Sequence, residues 1–405
     1  MLLFTLVAFD QVKAQEKTVS ADNGASQDFA VDTLAKQEVS PLDIADDRGI
    51  FIRTKDGKMQ LRILGSVRFS VLYDFIDYPI SKTFNTYYIP TGDDNVSVPN
   101  FSSSLNNSRL GFEITRKLDT KNVFIRLESD FNGSNGDYRI RHAYGQIDNF
   151  LVGQTWSLFS NVSSLPKMVD GNGPTGSVTL RTAQARYSGS NRKGTRWAAA
   201  LEYSRPDLNA EAFDTTGIST VQLIPDVTAR IEREGIFGAV QLSGVLTTLS
   251  KRDINNNINN TVGFGGSLSG TIDFNVDHKL LYQVTYGKSI SHFITTFSGT
   301  GMDAVYDPAN SNFLPVNSFG GFLSYGFDWT KNLSTNVSGG YAELYYQATQ
   351  EGNNYKNSMS LSFDTFWDIV DGAQLGIEYV YGQRWDIDGT SGSANRVWLL
   401  FYYDF

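Results

Sequence analysis

From Met59 to Tyr73 every second residue is apolar or glycine: Met59, Leu61, Ile63, Gly65, Val67, Phe69, Val71 and Tyr73. Gln60, Arg62, Ser66, Arg68 and Ser70 fall between them, with Leu64 and Leu72 as exceptions. A β-strand sends successive side chains to opposite faces, so this segment predicts a strand with one apolar and one polar face. At ~3.3 Å per residue it is long enough to cross a bilayer at barrel tilt.

The pattern recurs. Leu110, Phe112 and Ile114 oppose Arg109 and Glu113. Val123, Ile125, Leu127 and Phe131 oppose Arg126, Glu128 and Asp130. Tyr138, Ile140 and Tyr144 oppose Arg139 and Arg141, and this register turns His142 to the apolar side. Trp197, Ala199, Leu201 and Tyr203 oppose Arg196 and Glu202; Val227, Ala229 and Ile231 oppose Arg230 and Glu232. Shorter strands fall near Ile50–Thr54, Phe150–Trp156 and Val178–Tyr187, and later ones near 236–246, 261–272, 278–287, 318–327, 332–342, 355–364 and 373–383. The last alternation is Val397, Leu399, Phe401, Tyr403, Phe405. The total is about sixteen strands of about ten residues, the length a tilted membrane strand requires.

A soluble sandwich would also alternate; the connections separate the two. Long ones near 75–106, 132–137, 157–177, 204–224, 247–260, 288–316, 343–354 and 384–395 intercalate with short ones such as Leu118–Lys121, Asp148–Asn149, Arg233–Gly235 and Trp329–Lys331. Long extracellular loops alternating with short periplasmic turns are the layout of an outer-membrane barrel. The expected fold class is therefore all-β: a transmembrane antiparallel β-barrel of about 16 strands over residues 48–405. A sixteen-strand cylinder is too wide to fill with its own apolar side chains, so the apolar face is expected on outer-membrane lipid and the charged face on a water-filled lumen. Tyr73, Trp156, Trp197, Tyr203, Trp329, Tyr341, Trp367, Trp398, Tyr402 and Tyr403 are expected to form interfacial girdles. A strand that closes on a terminal Phe is similar to the insertion signal of such proteins, making the barrel-assembly machinery an expected partner through Phe405.

Composition agrees. Mean hydropathy is -0.26, and no stretch after the N-terminus approaches the roughly 18 apolar residues of a spanning helix. With no Cys among 405 residues there is neither a disulfide framework nor a thiolate metal site. A net charge of -9 argues against a nucleic-acid binder, which would carry a basic surplus. Leu2–Phe9 followed by Val12-Lys13-Ala14 reads as a signal peptide over 1–14. Residues 15–47 are polar and acidic and are expected to form a flexible periplasmic extension, with a short helix near 29–37.

The polar face of the first half is rich in arginine: Arg62, Arg68, Arg109, Arg126, Arg139, Arg141, Arg181 and Arg196. Guanidinium groups stay charged and offer forked donors to carboxylate or phosphate, so a wall of them would favour anionic solutes. Glu113, Glu128, Asp130, Glu202 and Glu232 share that face and could neutralise them as lumen pairs. The connection Ser157–Pro174 mixes apolar anchors (Leu158, Phe159, Leu165, Met168) with Lys167 and Asp170, which suits a loop folded into the lumen as a constriction. Only His142, His278 and His292 occur, without metal-ligand spacing. No Gly-x-Ser-x-Gly elbow appears. No catalytic site, resident metal or cofactor is expected; Asp303, Asp307 and Asn255–Asn260 could at most offer oxygens to calcium.

Gly49–Arg53 with Leu61–Phe69, Ser108–Gly111, Arg141–Tyr144 and above all Leu151-Val-Gly-Gln-Thr-Trp-Ser-Leu-Phe159 resemble the DcaP-like outer-membrane porins. The resemblance is specific over about residues 48–190 and architectural beyond. It implies a homotrimeric barrel, diffusion of small hydrophilic and often anionic solutes, and a third loop in the lumen. Carried over, the lumen residues are Arg109, Arg126, Arg139, Arg141 and the Gln154–Asp170 segment. Members can carry an N-terminal coiled coil, but 15–47 lacks clear heptads. Two functions stay open: a passive diffusion porin, or a plugged barrel acting as scaffold, adhesin or assembly subunit.

Overall fold

The alternating segments pair into a closed cylinder in the computed structural model, which describes residues 40–45, 47–80, 82–192, 194–208, 219–252, 258–307, 312–346 and 352–405. The expected signal peptide, most of the extension, the helix near 29–37 and Asn255–Asn257 lie outside the described residues. Sixteen antiparallel strands form the wall. They are β1 (Met59–Asp74), β2 (Arg109–Lys117), β3 (Asn122–Asp130), β4 (Arg139–Ile147), β5 (Phe150–Trp156), β6 (Arg181–Ser190), β7 (Thr195–Tyr203) and β8 (Asp226–Gly235). The second half holds β9 (Gly238–Arg252), β10 (Ile258–Asp273), β11 (His278–Lys288), β12 (Asn317–Thr330), β13 (Leu333–Tyr345), β14 (Tyr355–Val370), β15 (Ala373–Asp386) and β16 (Ser391–Asp404).

Each strand pairs with its neighbour in sequence, and β16 returns to β1 with Phe401 opposite Phe69 and Asp404 opposite Ser66. Closure satisfies every ladder, which an edge in lipid cannot do. Where β16 ends, Phe405 and Gly65 exchange backbone hydrogen bonds of 2.9 Å. Gly65 is bare for a reason: a Cβ there would overlap the Phe405 ring. Below that point the short strand Ile50–Arg53 takes over, pairing with Gln60–Ile63 on the side β16 has vacated.

The two faces separate as the period dictates. On β1, Val67 and Phe69 are exposed outward while Arg68, Ser70 and Asp74 are buried in the lumen. Trp197, Trp329, Trp367, Tyr73, Tyr203 and Tyr403 are exposed on the outside. Trp156, Trp398 and Tyr402, expected in the girdles, instead point inward and pack in lumen clusters or against lumen cations. Trp398 and Tyr402 share the lumen parity of Arg396, whereas Trp156 shares the parity of the exposed Phe150 and Val152 and turns inward where β5 ends; inward loops supply the apolar surface they need.

Two expectations change in detail. Glu128 pairs with His142 but Ser129 pairs with Ile140, so Arg141 is an extra residue in a β-bulge. A bulge shifts the side-chain alternation by one, and His142 and Tyr144 come inside, buried, rather than facing lipid. His142 bonds to Thr155 Oγ1 at 3.0 Å, and Tyr144 packs with Phe124 and Leu151. The long loop expected at 384–395 contracts to 387–390, because β15 and β16 stay paired up to Trp385 opposite Ser391 and Gly389 turns the chain at φ +88°.

Candidate functional site: the barrel lumen

The connection from Ser157 to Leu180 lies inside the cylinder. Leu158, Phe159 and Val162 are fully buried. Its backbone is tied to the inner wall on many sides. Leu158 N–H donates to Glu202 Oε1 (2.9 Å) on β7, Ser243 Oγ of β9 donates to Phe159 O (3.2 Å), and Asn161 Nδ2 donates to Ser269 Oγ (3.0 Å) on β10. Val178 N–H donates to Gln283 Oε1 (2.8 Å) on β11, and Asn336 Nδ2 of β13 donates to Lys167 O (3.0 Å). Val169 N–H donates to Asp364 Oδ1 (3.0 Å) on β14, and Asp170 N–H to Glu378 Oε2 (2.7 Å) on β15. Polar residues on the lumen face thus do for the loop what water would do for a surface loop. Glycines open the slot: a Cβ at Gly340 would overlap the Thr175 backbone, and one at Gly320 the Gly176 carbonyl.

Two further loops fold inward, which the sequence does not single out. In 75–99, Ile76, Tyr78, Phe84 and Ile89 pack on Val380 and Ala394, and Phe84 N–H donates to Asp170 Oδ2 (2.7 Å). In 289–303, Ile290, Phe293, Ile294 and Phe297 are fully buried against Phe159, Val178 and the wall. The available signal is this density of large apolar residues in a long connection.

Asp170 and Lys167 carry the loop's titratable chemistry. Burial, reinforced by the Glu378 carboxylate, pushes Asp170 up to about 7. Burial brings Lys167 down to about 8 against the pull of Asp368, with its ammonium 4.6 Å from the Phe366 ring centre.

The predicted arginines do converge, with two outliers. Across β1–β4 they interleave with carboxylates. Arg62 pairs with Glu113 (2.8 Å), and Arg126 bridges Glu113 (3.6 Å) and Glu128. Arg141 bridges Glu128 (2.8 Å) and Asp130 (3.1 Å), and Arg139 pairs with Asp130 (2.7 Å). Arg68 lies 3.8 Å from Asp404. Neighbouring strands thus build a paired ladder. Arg181 stands apart: its guanidinium lies over the Trp156 ring at 3.6 Å, and its buried Nε has no hydrogen-bond partner among the described residues. Arg196, on β7, is paired with Glu232 (2.6 Å) and Glu234 (2.7 Å), on a polar cavity that Asn161, Ser163, Arg230 and Thr271 also line.

The described end of the N-terminal extension also enters. Leu42 packs with Leu72, Val169, Trp398 and Tyr402, and Asp43 lies 3.0 Å from Arg109. Among the described residues no group of acidic and histidine side chains is arranged to hold a metal. Asp303 is engaged instead by His292 at 2.8 Å.

A closed barrel of this strand number, with three inward loops and an arginine ladder, can be compared with known proteins. The family model of the DcaP outer membrane protein matches residues 46–405. The chain belongs to the DcaP outer membrane protein family. That family places it in the outer membrane of a Gram-negative bacterium. The outer-membrane channel DcaP of Acinetobacter baumannii is similar at 21% identity and TM-score 0.76, over 87% of this chain and 99% of that one. Salmonella typhi OmpF, solved with daunomycin, has TM-score 0.58 at 10% identity, over 88% and 100%. An anion-selective porin from Comamonas acidovorans has TM-score 0.57 at 10% identity, over 86% and 100%. These structural likenesses establish a shared barrel fold. No curated protein sequence matches the chain.

Proposed function

We propose that this DcaP-family barrel is a homotrimeric outer-membrane channel for passive diffusion of small hydrophilic solutes, with a preference for anions. The observation that carries the anion preference is Arg181: a guanidinium stacked on Trp156, its Nε unpartnered among the described residues, beside a ladder in which Arg109 and Arg141 are otherwise engaged by carboxylates. A cation held without its own counter-ion raises the local concentration of anions. The loop 157–180 is the constriction, because it spans the lumen from Glu202 to Glu378. Three subunits are proposed from the family resemblance and from the fold likeness to Vibrio cholerae OmpT, solved in a trimer form with TM-score 0.54 at 11% identity over 86% of this chain and 99% of that one.

Single-channel recording of the purified protein in planar bilayers tests the reading, with reversal potential in a salt gradient for selectivity. Stepwise currents with anion preference are expected, and Arg181→Gln should reduce that preference. Absence of stepwise current would favour the second reading, a non-transporting scaffold, adhesin or assembly barrel, which draws support from the packed lumen. Cross-linking in outer membranes should give a three-subunit species.

A further inference from the structure

The chain brings its own carboxylate to the arginine ladder. Ser40–Asp43 make a tight turn: Asp43 N–H donates to Ser40 O and Ser40 N–H donates to Asp43 Oδ2, both at 2.8 Å. The turn presents three groups to the wall. Asp43 Oδ1 accepts from Arg109 Nη1 at 3.0 Å and lies 3.9 Å from Arg141 Nη2. The Leu42 carbonyl accepts from Arg68 Nη2 (2.7 Å) and Arg109 Nη1 (3.0 Å). The Leu42 side chain is buried between wall residues and Val169 of the constriction loop. The Asp43 side chain is only 3% exposed.

We propose that Ser40–Ala45 is a self-inhibitory plug: Asp43 occupies in cis the site that a carboxylate solute takes on Arg109 and Arg141, and the plug must leave for that site to load. The inference rests on the channel reading above. Three features support it. The anchor is small, two buried apolar side chains (Leu42 and Ile44) and one carboxylate, while neighbouring contacts use backbone carbonyls that any sequence would supply. The site has unspent capacity, since Arg109 Nε and Arg181 Nε are buried without partners among the described residues. Beyond the turn the chain is held by Arg62 of β1, whose Nη2 and Nε donate to Ala45 O (2.5 Å) and Arg48 O (2.7 Å), and by a latch at the short-turn rim. Arg48 Nη1 donates to Asp371 Oδ2 (2.6 Å) between β14 and β15, and such exposed pairs are weak. Gly49, at φ +113° with no room for a Cβ beside the Ile63 carbonyl, turns the chain from the plug into the strand Ile50–Arg53. A charge-assisted bond to a tethered carboxylate is strong enough to hold the plug and weak enough for a solute carboxylate to displace it.

The chain has no Cys, so a single Ile44→Cys, at a buried position, reports plug release through its rate of modification by a charged thiol reagent. In the full-length protein in vesicles, Asp43→Ala added to Ile44→Cys should speed labelling about tenfold or more, the factor expected for losing one charge-assisted hydrogen bond. Asp43→Glu should label close to the rate of the protein that retains Asp43. Acetate should accelerate labelling saturably when Asp43 is present, and chloride at equal ionic strength should not. Equal labelling rates with and without the Asp43→Ala change would overturn the plug, and so would acceleration by chloride equal to that by acetate. In bilayers, Asp43→Ala should raise anion current. Loss of all current in both proteins would refute the channel reading while the labelling difference still reported the plug.

Discussion

Asp170 sits where the first inward loop, the constriction loop and the wall meet, and its protonation should set how firmly that joint holds. Its carboxylate accepts from Phe84 N–H (2.7 Å) and Asn172 N–H (3.1 Å). Glu378 and Asp364 face it from β15 and β14 through the loop backbone, and Arg396 of β16 lies on the same side but is paired with Asp74 (2.7 Å). The ordinary value of 3.8 rises to about 7 in the fold. An acid whose folded value is raised holds a proton that the unfolded chain has released. Stability is therefore full below about 4 and is lost as pH rises towards about 7. Over roughly three units, at about 1.36 kcal/mol each, the loss approaches about 4 kcal/mol. Asp170→Asn keeps an acceptor for Phe84 N–H and removes the titration. Urea unfolding in phospholipid vesicles, followed by tryptophan fluorescence between pH 4 and 8, reads the effect. The variant should match the parent near pH 4 and exceed it increasingly above pH 5, by up to about 4 kcal/mol at pH 8. Parallel pH profiles for the two proteins would refute a raised, protonated Asp170 at this joint.

The remaining predictions concern the slot, the rim and the seam. Gly340→Val should push Thr175 and the constriction loop off the wall, costing about 1–3 kcal/mol by overpacking and raising single-channel conductance; unchanged conductance would remove this loop from the pore account. Arg139→Glu targets the ladder arginine with a side chain 44% exposed and should move the reversal potential towards cation preference, whereas an unmoved potential would take Arg139 out of the conduction path. Phe405→Ala strips the ring from Gly65 and should lower the yield of heat-modifiable barrel in outer membranes by a loss of about 1–2 kcal/mol of seam packing. The assembled fraction should conduct normally, and full assembly of the variant would contradict a seam role. For the bulge, deletion of Arg141 should restore unbroken alternation on β4 with Ile140 still opposite Ser129 on the lipid face and His142 still opposite Glu128 inside; a His142→Trp reporter in the deletion variant should escape quenching by brominated lipid, and strong quenching would refute the register.

What is legible in the residues is what depends on neighbours close in sequence. Strand parity needs only i and i+2, so Val67, Phe69 and Arg68 declare their faces, and Asp56-Gly57 declares its turn, with Gly57 at φ +67°. The arginines can be placed on the lumen face by the same parity, and the apolar anchors of Ser157–Pro174 give away a loop with something to bury. Parity misplaces His142 because one extra residue in β4 inverts the alternation beyond it, and nothing local marks a bulge that exists only against the register of β3. Trp156 and Trp398 read as girdle residues because inward partners, Leu281 and Phe322 for one and Leu42 for the other, come from distant segments.

The sequence by itself determined a closed sixteen-strand wall with a lipid face and a charged face, because a period-two pattern fixes side-chain direction within each strand. Only the tertiary structure decided what fills that wall. Glycines at 320 and 340 admit Thr175 and Gly176, Asp170 joins two loops to β15, and Asp43 reaches arginines more than sixty positions away. Each of these contacts depends on groups brought together by closure of the cylinder, and no local pattern in the chain encodes a neighbour across a lumen.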